Sequence, residues 1–93
     1  MNWIDKIGKE YILIKVKLED FETFQKFMFT LNVEWQDSKR KIQNEQQIYY
    51  RYIEDDYIHL LITEKSKLVY KNNLYDFIIF DLRKLKLKKI ASD

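Results

Sequence analysis

The 93-residue sequence contains no cysteine, no proline and a single glycine, Gly8. Without cysteine there are no disulfides and no thiolate metal sites. One glycine is too few for the glycine-rich loops that cradle phosphates in nucleotide-binding folds. Turns must therefore be built from Asn, Asp and Ser, which tolerate turn geometry by bonding their own backbone. No apolar run approaches the roughly 20 residues that a membrane-spanning helix needs. Histidine occurs once, at His59. A catalytic histidine needs a nucleophile and an orienting carboxylate, and a metal site needs further ligands. No such spacing stands out, so we expect no catalytic residue, no metal and no cofactor, and read the chain as non-enzymatic.

What is abundant is aromatic and charged. Seven Tyr, six Phe and two Trp are large rings for a short chain, an economical way to fill a small core. The length fits one domain over 1–93. Net charge is +2 but unevenly spread. Residues 71–93 carry Lys71, Arg83, Lys84, Lys86, Lys88 and Lys89 against Asp76, Asp81 and Asp93, so 82–93 is a basic C-terminal segment. The opening "MNWIDKIGKE" is charged at nearly every third position, unlike the apolar core of a secretory leader. The expectation is a soluble cytoplasmic protein without membrane contact.

Periodicity divides the chain. "YILIKVKL" (Tyr11–Leu18) alternates as a strand, with Ile12, Ile14, Val16 and Leu18 inward and Lys15 and Lys17 toward water. From Asp20 the period changes: Phe21, Phe24, Phe27, Met28 and Leu31 make one helical stripe over about residues 20–31. Asp20 is the expected N-cap, and Glu22 suits the positive helix N-terminus. Asn32 is placed to end the helix in a left-handed conformation. Val33 and Trp35 begin a second strand and share a face, which makes Trp35 a core anchor. The polar stretch after Trp35 is read as a long loop, with Lys39, Arg40 and Lys41 free of structural duty.

"QQIYYRYIEDDYIHLLIT" reads as a hairpin turning at "EDD". A two-residue turn at Asp55-Asp56 would set Ile53 beside Ile58. A three-residue loop, Glu54 to Asp56, groups Ile48, Tyr50, Tyr52, Ile58, Leu60 and Ile62 on one face, and is preferred because it separates apolar from amphipathic residues. It leaves Tyr49, Arg51, Ile53, Tyr57, His59 and Leu61 on the outer face, with His59 in solvent. "EKSK" is a turn, "LVYK" (Leu68–Lys71) a strand and "LYDFIIFDL" a further buried strand, while "LRKLKLKKI" fits a strand or a frayed helix. The fold class is α+β: a mostly antiparallel sheet of four to six strands, with one main helix packed on one face.

Two binding chemistries suit these residues. Tyr and Arg on an open sheet face serve protein interfaces, so Tyr49, Arg51, Tyr57 and His59 are the candidate partner-binding residues, with Lys39, Arg40 and Lys41 as a rim. The bland alternative is that the C-terminal segment or Trp3 and Ile4 cover that face. Lys84, Lys86, Lys88 and Lys89 would suit phosphate contacts to a nucleic acid, or merely protect a sheet edge. An uncovered edge also leaves homodimerisation open.

The run Phe21, Phe24, Leu31, Asn32, Val33, Trp35, Ile48, Tyr49 and Tyr50 resembles small uncharacterised proteins of phages and prophages in low-GC Gram-positive and related bacteria. Their pattern is a phenylalanine-rich helix ending in a glycine turn, an aromatic–x–Trp pair, a loop and an "IYI"-like strand. Here Asn32 stands for the glycine and Val33 for the aromatic, and the likeness covers the middle third of the chain. It implies a mobile-element origin, for which a frequent role is inhibition of a host protein, including defence systems such as CRISPR–Cas, by surface occlusion.

Overall fold

The computed structural model describes residues 3–44, 52–71 and 78–80. Hairpin positions 48–51, including Tyr49 and Arg51, lie outside the described residues. So does all of "LRKLKLKKI" with Lys84, Lys86, Lys88 and Lys89.

Strand β1 (Ile12–Lys17) alternates as its sequence requires, burying Ile12, Ile14 and Val16. A 3₁₀ turn at Leu18–Asp20 leads into helix α1 (Phe21–Thr30). Asp20 stands at the N-cap position, but its side chain makes no cap bond, because the 3₁₀ turn already carries the chain into the helix. The C-terminus follows the expected chemistry. Asn32 takes the left-handed conformation (φ 62°), Val33 N–H donates to the Met28 carbonyl (2.9 Å) and Asn32 N–H to that of Phe29 (3.1 Å). That pair of bonds is the Schellman motif, with asparagine at the position glycine usually holds.

The remaining strands are β2 (Glu34–Trp35), β3 (Ile53–Glu54), β4 (Tyr57–Ile62), β5 (Lys67–Tyr70) and β6 (Ile78–Ile79). They form one sheet in the order β2-β5-β4-β1-β6, with β3 pairing β4. β4 lies antiparallel to β1, β3 and β5, while β1/β6 and β2/β5 are parallel pairs. The sheet is thus mixed and mostly antiparallel, since every other described strand runs against β4. β1 fills one whole edge of β4, so β3 and β5 share the other end to end.

Helix α1 covers one face of this sheet. The core between them is Phe21, Phe24 and Met28 from the helix, against Ile12, Ile14, Val16, Ile58, Leu60, Ile62, Leu68 and Phe80. Phe24 meets Phe80 edge-on, 5.0 Å between ring centroids. Burying each such side chain contributes about 1.5–3 kcal/mol. Trp3 and Ile7 pack against this core, and Trp35 closes it beside β2.

The hairpin turn differs from expectation. Ile53 pairs with Ile58 and Glu54 with Tyr57, which leaves two turn residues, Asp55 and Asp56, instead of a three-residue loop. Both have positive φ, 52° and 66°. That is the type I′ pattern, whose twist matches the flanking strands. Asp56 is tied further by its carbonyl, which accepts from Leu18 N–H at 2.9 Å. The described strand β3 is two residues long, and its register with β4 follows the two-residue turn. Ile53 accordingly moves from the outer face to the core side.

Candidate interaction surface

The sheet face opposite the helix is built from odd-numbered positions of β1, β4, β5 and β6 with Glu54 of β3, in rows fixed by strand pairing. Leu13, Leu61 and Val69 form one row across β1, β4 and β5, and all three are half-buried. In the next row Ile79 flanks Lys15, which faces His59, whose carbonyl accepts from Lys71 N–H. A third row sets exposed Lys17 against Tyr57, and Tyr57 against Glu54. Lys15 Nζ stands 5.1 Å from the Tyr57 ring centroid, within cation–π range. Ile79 (52% exposed) and Tyr11 (62%) add apolar surface at the margins.

His59 is not the solvent-facing residue expected. It lies mid-strand in β4 between β1 and β5 and is only 7% exposed. Its desolvation holds the imidazole pKa below the ordinary 6.5, an effect the nearby Lys15 ammonium reinforces and Glu54 and Asp55 partly offset. Of the expected outer-face residues, the structure therefore places Tyr57, His59 and Leu61 together and sends Ile53 inward. Tyr49 and Arg51 lie outside the described residues.

Lys39, Arg40 and Lys41 lie on the loop that follows the edge strand β2. Gln43 ties that loop to the helix through a polar cluster the apolar periodicity conceals. Gln25, fully buried in the α1 stripe, uses its whole amide. Its Nε2 donates to the Gln43 carbonyl (2.7 Å) and, at 3.3 Å, to that of Phe21. Its Oε1 accepts from Trp35 Nε1 (2.9 Å) and Gln43 N (2.7 Å). Gln43 in turn donates to Ser38 Oγ (2.9 Å) and accepts from the Tyr70 hydroxyl. Burial pushes the Tyr70 pKa above its ordinary value, so the phenol stays protonated and donating. The Trp35 ring packs against Tyr70 at 5.0 Å and edge-on to Phe21 at 6.1 Å.

Arg40 also has a duty. It donates to Asn32 Oδ1 (3.0 Å) and pairs with Glu34 at 3.3 Å, while Lys67 meets the same carboxylate at 2.9 Å. The Lys67 ammonium, helped by Arg40, lowers the Glu34 pKa. Lys39 has φ 59° and exchanges two backbone bonds with Trp35. The cations of this loop are thus partly spent on closing it.

Among the described residues no group of His, Asp and Glu is arranged to hold a metal ion. None of their helices is long and apolar enough to cross a membrane. Comparison of the chain with protein-family models, curated proteins and solved structures finds no match.

Proposed function

We propose that the chain is a non-enzymatic binding protein that engages a partner protein through the sheet face opposite the helix. The observation that carries this reading is the composition of that face. The half-buried row Leu13–Leu61–Val69 is followed by a row of Lys15, His59 and exposed Ile79, and then by exposed Lys17 with Tyr57. Apolar and aromatic contacts ringed by cations are the makeup of a protein interface, in which a few aromatic or apolar anchors carry most of the affinity. The resemblance to phage and prophage proteins narrows the partner to a host protein in the bacterial cytoplasm, in its sharpest form a defence component such as a CRISPR–Cas effector. Inhibition would follow from occluding a surface that effector needs, without chemistry on it.

The test is capture of proteins from a low-GC Gram-positive lysate by the tagged chain. A triple variant Lys17→Glu, Tyr57→Ser, Ile79→Lys is compared with Lys41→Glu on the loop beyond β2, each first checked for folding by thermal melting. We expect one stoichiometric partner, captured by wild type and Lys41→Glu and lost by the triple variant. Equal capture by all three overturns the assignment of the face. Recovery of nucleic acid alone, lost by about 10³-fold or more between 50 and 200 mM salt, overturns the protein-partner reading in favour of phosphate contacts by Lys84, Lys86, Lys88 and Lys89.

A further inference from the structure

At one end of the sheet, three separate pieces of chain converge on an open cleft of about 640 Å³. Gly8 and Lys9 come from the turn before β1, Gln36 from the residue after β2, and Thr63, Glu64, Lys65 and Lys67 from the β4–β5 connection. The volume is in the range that takes a small molecule.

The charges in it are unequally engaged. Lys67 is committed to Glu34 at 2.9 Å. Lys9 and Lys65 make no ion pair among the described residues, although the Glu64 carboxylate lines the same cleft. The backbone of the connection is already satisfied around Thr63. Its N–H donates to the Lys67 carbonyl and its carbonyl accepts from Ser66 N–H, while Oγ1 accepts from Lys67 N–H and Lys65 N–H. With its oxygen accepting twice, the Thr63 hydroxyl proton is left to be donated outward. Gly8 holds φ 83°, a conformation that side chains rarely adopt, so the cleft wall there carries no side chain.

Two unpaired ammonium groups, a hydroxyl donor and the Gln36 amide in one concavity form a recognition set for negatively charged oxygen. We propose that this cleft binds a small-molecule oxyanion, with Lys9 and Lys65 as its charge contacts and Thr63 as a neutral donor. This proposal does not rest on the partner-binding reading. Lys17 and Lys41, equally exposed cations lying outside the cleft, serve as internal controls.

The experiment is titration of the ¹⁵N-labelled full chain at low ionic strength, where screening is least. Pyrophosphate is the phosphate probe and succinate the carboxylate probe, and the tighter of the two identifies the ligand class. Saturable amide shifts are expected at Gly8, Thr63 and Lys65. The double variant Lys9→Gln, Lys65→Gln should weaken binding about tenfold or more, and Glu64→Gln should tighten it, because a like charge leaves the cleft. Lys17→Gln, Lys41→Gln should leave it unchanged. Shifts spread evenly over the exposed lysines, or an affinity that the Lys9/Lys65 variant leaves intact, would overturn the site.

Discussion

Gln25 is the one buried polar residue of its helix. It is one side chain holding helix, tryptophan and loop together through four hydrogen bonds. Gln25→Leu would keep the shape but leave the Trp35 indole N–H and the Gln43 amide buried without partners. A loss of about 2–4 kcal/mol follows, measured by urea unfolding. Trp35→Ala should cost about 3–5 kcal/mol by opening a cavity between Phe21 and Tyr70. Because the two residues share a bond, the double variant should lose less than the sum of the singles. The core role of Trp35 was legible from its spacing after Val33. Gln25 was not, although a polar residue four positions after Phe21, inside an apolar stripe, is the signal that would have found it.

His59 makes a second residue-scale prediction. Its folded pKa lies below the unfolded value of about 6.5, so the unfolded chain binds the proton first as pH falls. The contribution from a neutral His59 is complete above that value and is lost as pH falls toward the folded pKa. Wild type should therefore lose stability as pH falls through and below about 6.5, in excess of His59→Gln, when both are unfolded in urea across a pH series. Equal slopes for the two proteins would contradict the buried, neutral imidazole. Sequence alone put this residue in water, because strand alternation gives the face of a side chain and not whether that face is covered.

Among the elements, the helix was read closely from its stripe, and its end from Asn32. The hairpin turn was misread for a physical reason. Grouping Ile48, Tyr50 and Tyr52 with Ile58 assumes that the first strand is long enough for burial to set its register. The described β3 has two residues, and the turn's own left-handed pair decides instead. Asp55→Asn, Asp56→Gly supplies the residues that type I′ geometry favours. It should stabilise the protein by about 0.5–1 kcal/mol, seen as a higher melting temperature. A three-residue loop, left-handed at Asp56 alone, would gain from Asp56→Gly but not from Asp55→Asn. The loop after Trp35 shows the converse error: length and polarity suggested freedom, whereas Arg40, Ser38 and Gln43 tie it to the helix end, to itself and to the core.

Taken whole, the molecule has one layer of helix and one mixed sheet, which leaves the sheet with a second face. The α+β class and the mostly antiparallel pairing were legible in the switch from period two to period 3.6 and back. The two parallel pairings were not, since no local pattern encodes which distant strand lies beside β1 or β5. The candidate surface was legible in part: Tyr57, His59 and Leu61 share the outer face as read, while Lys39, Arg40 and Lys41 lie on the loop beyond the edge strand β2. A direct test follows, because lysines mark both the face and the loop. Once a partner is in hand, lysine acetylation of the free and bound chain, read by mass spectrometry, locates the contact. Binding through the outer face predicts protection of Lys15 and Lys17 with Lys39 and Lys41 unchanged. Protection of Lys39 and Lys41, or of Lys84, Lys86, Lys88 and Lys89 alone, with Lys15 and Lys17 still reactive, would contradict it.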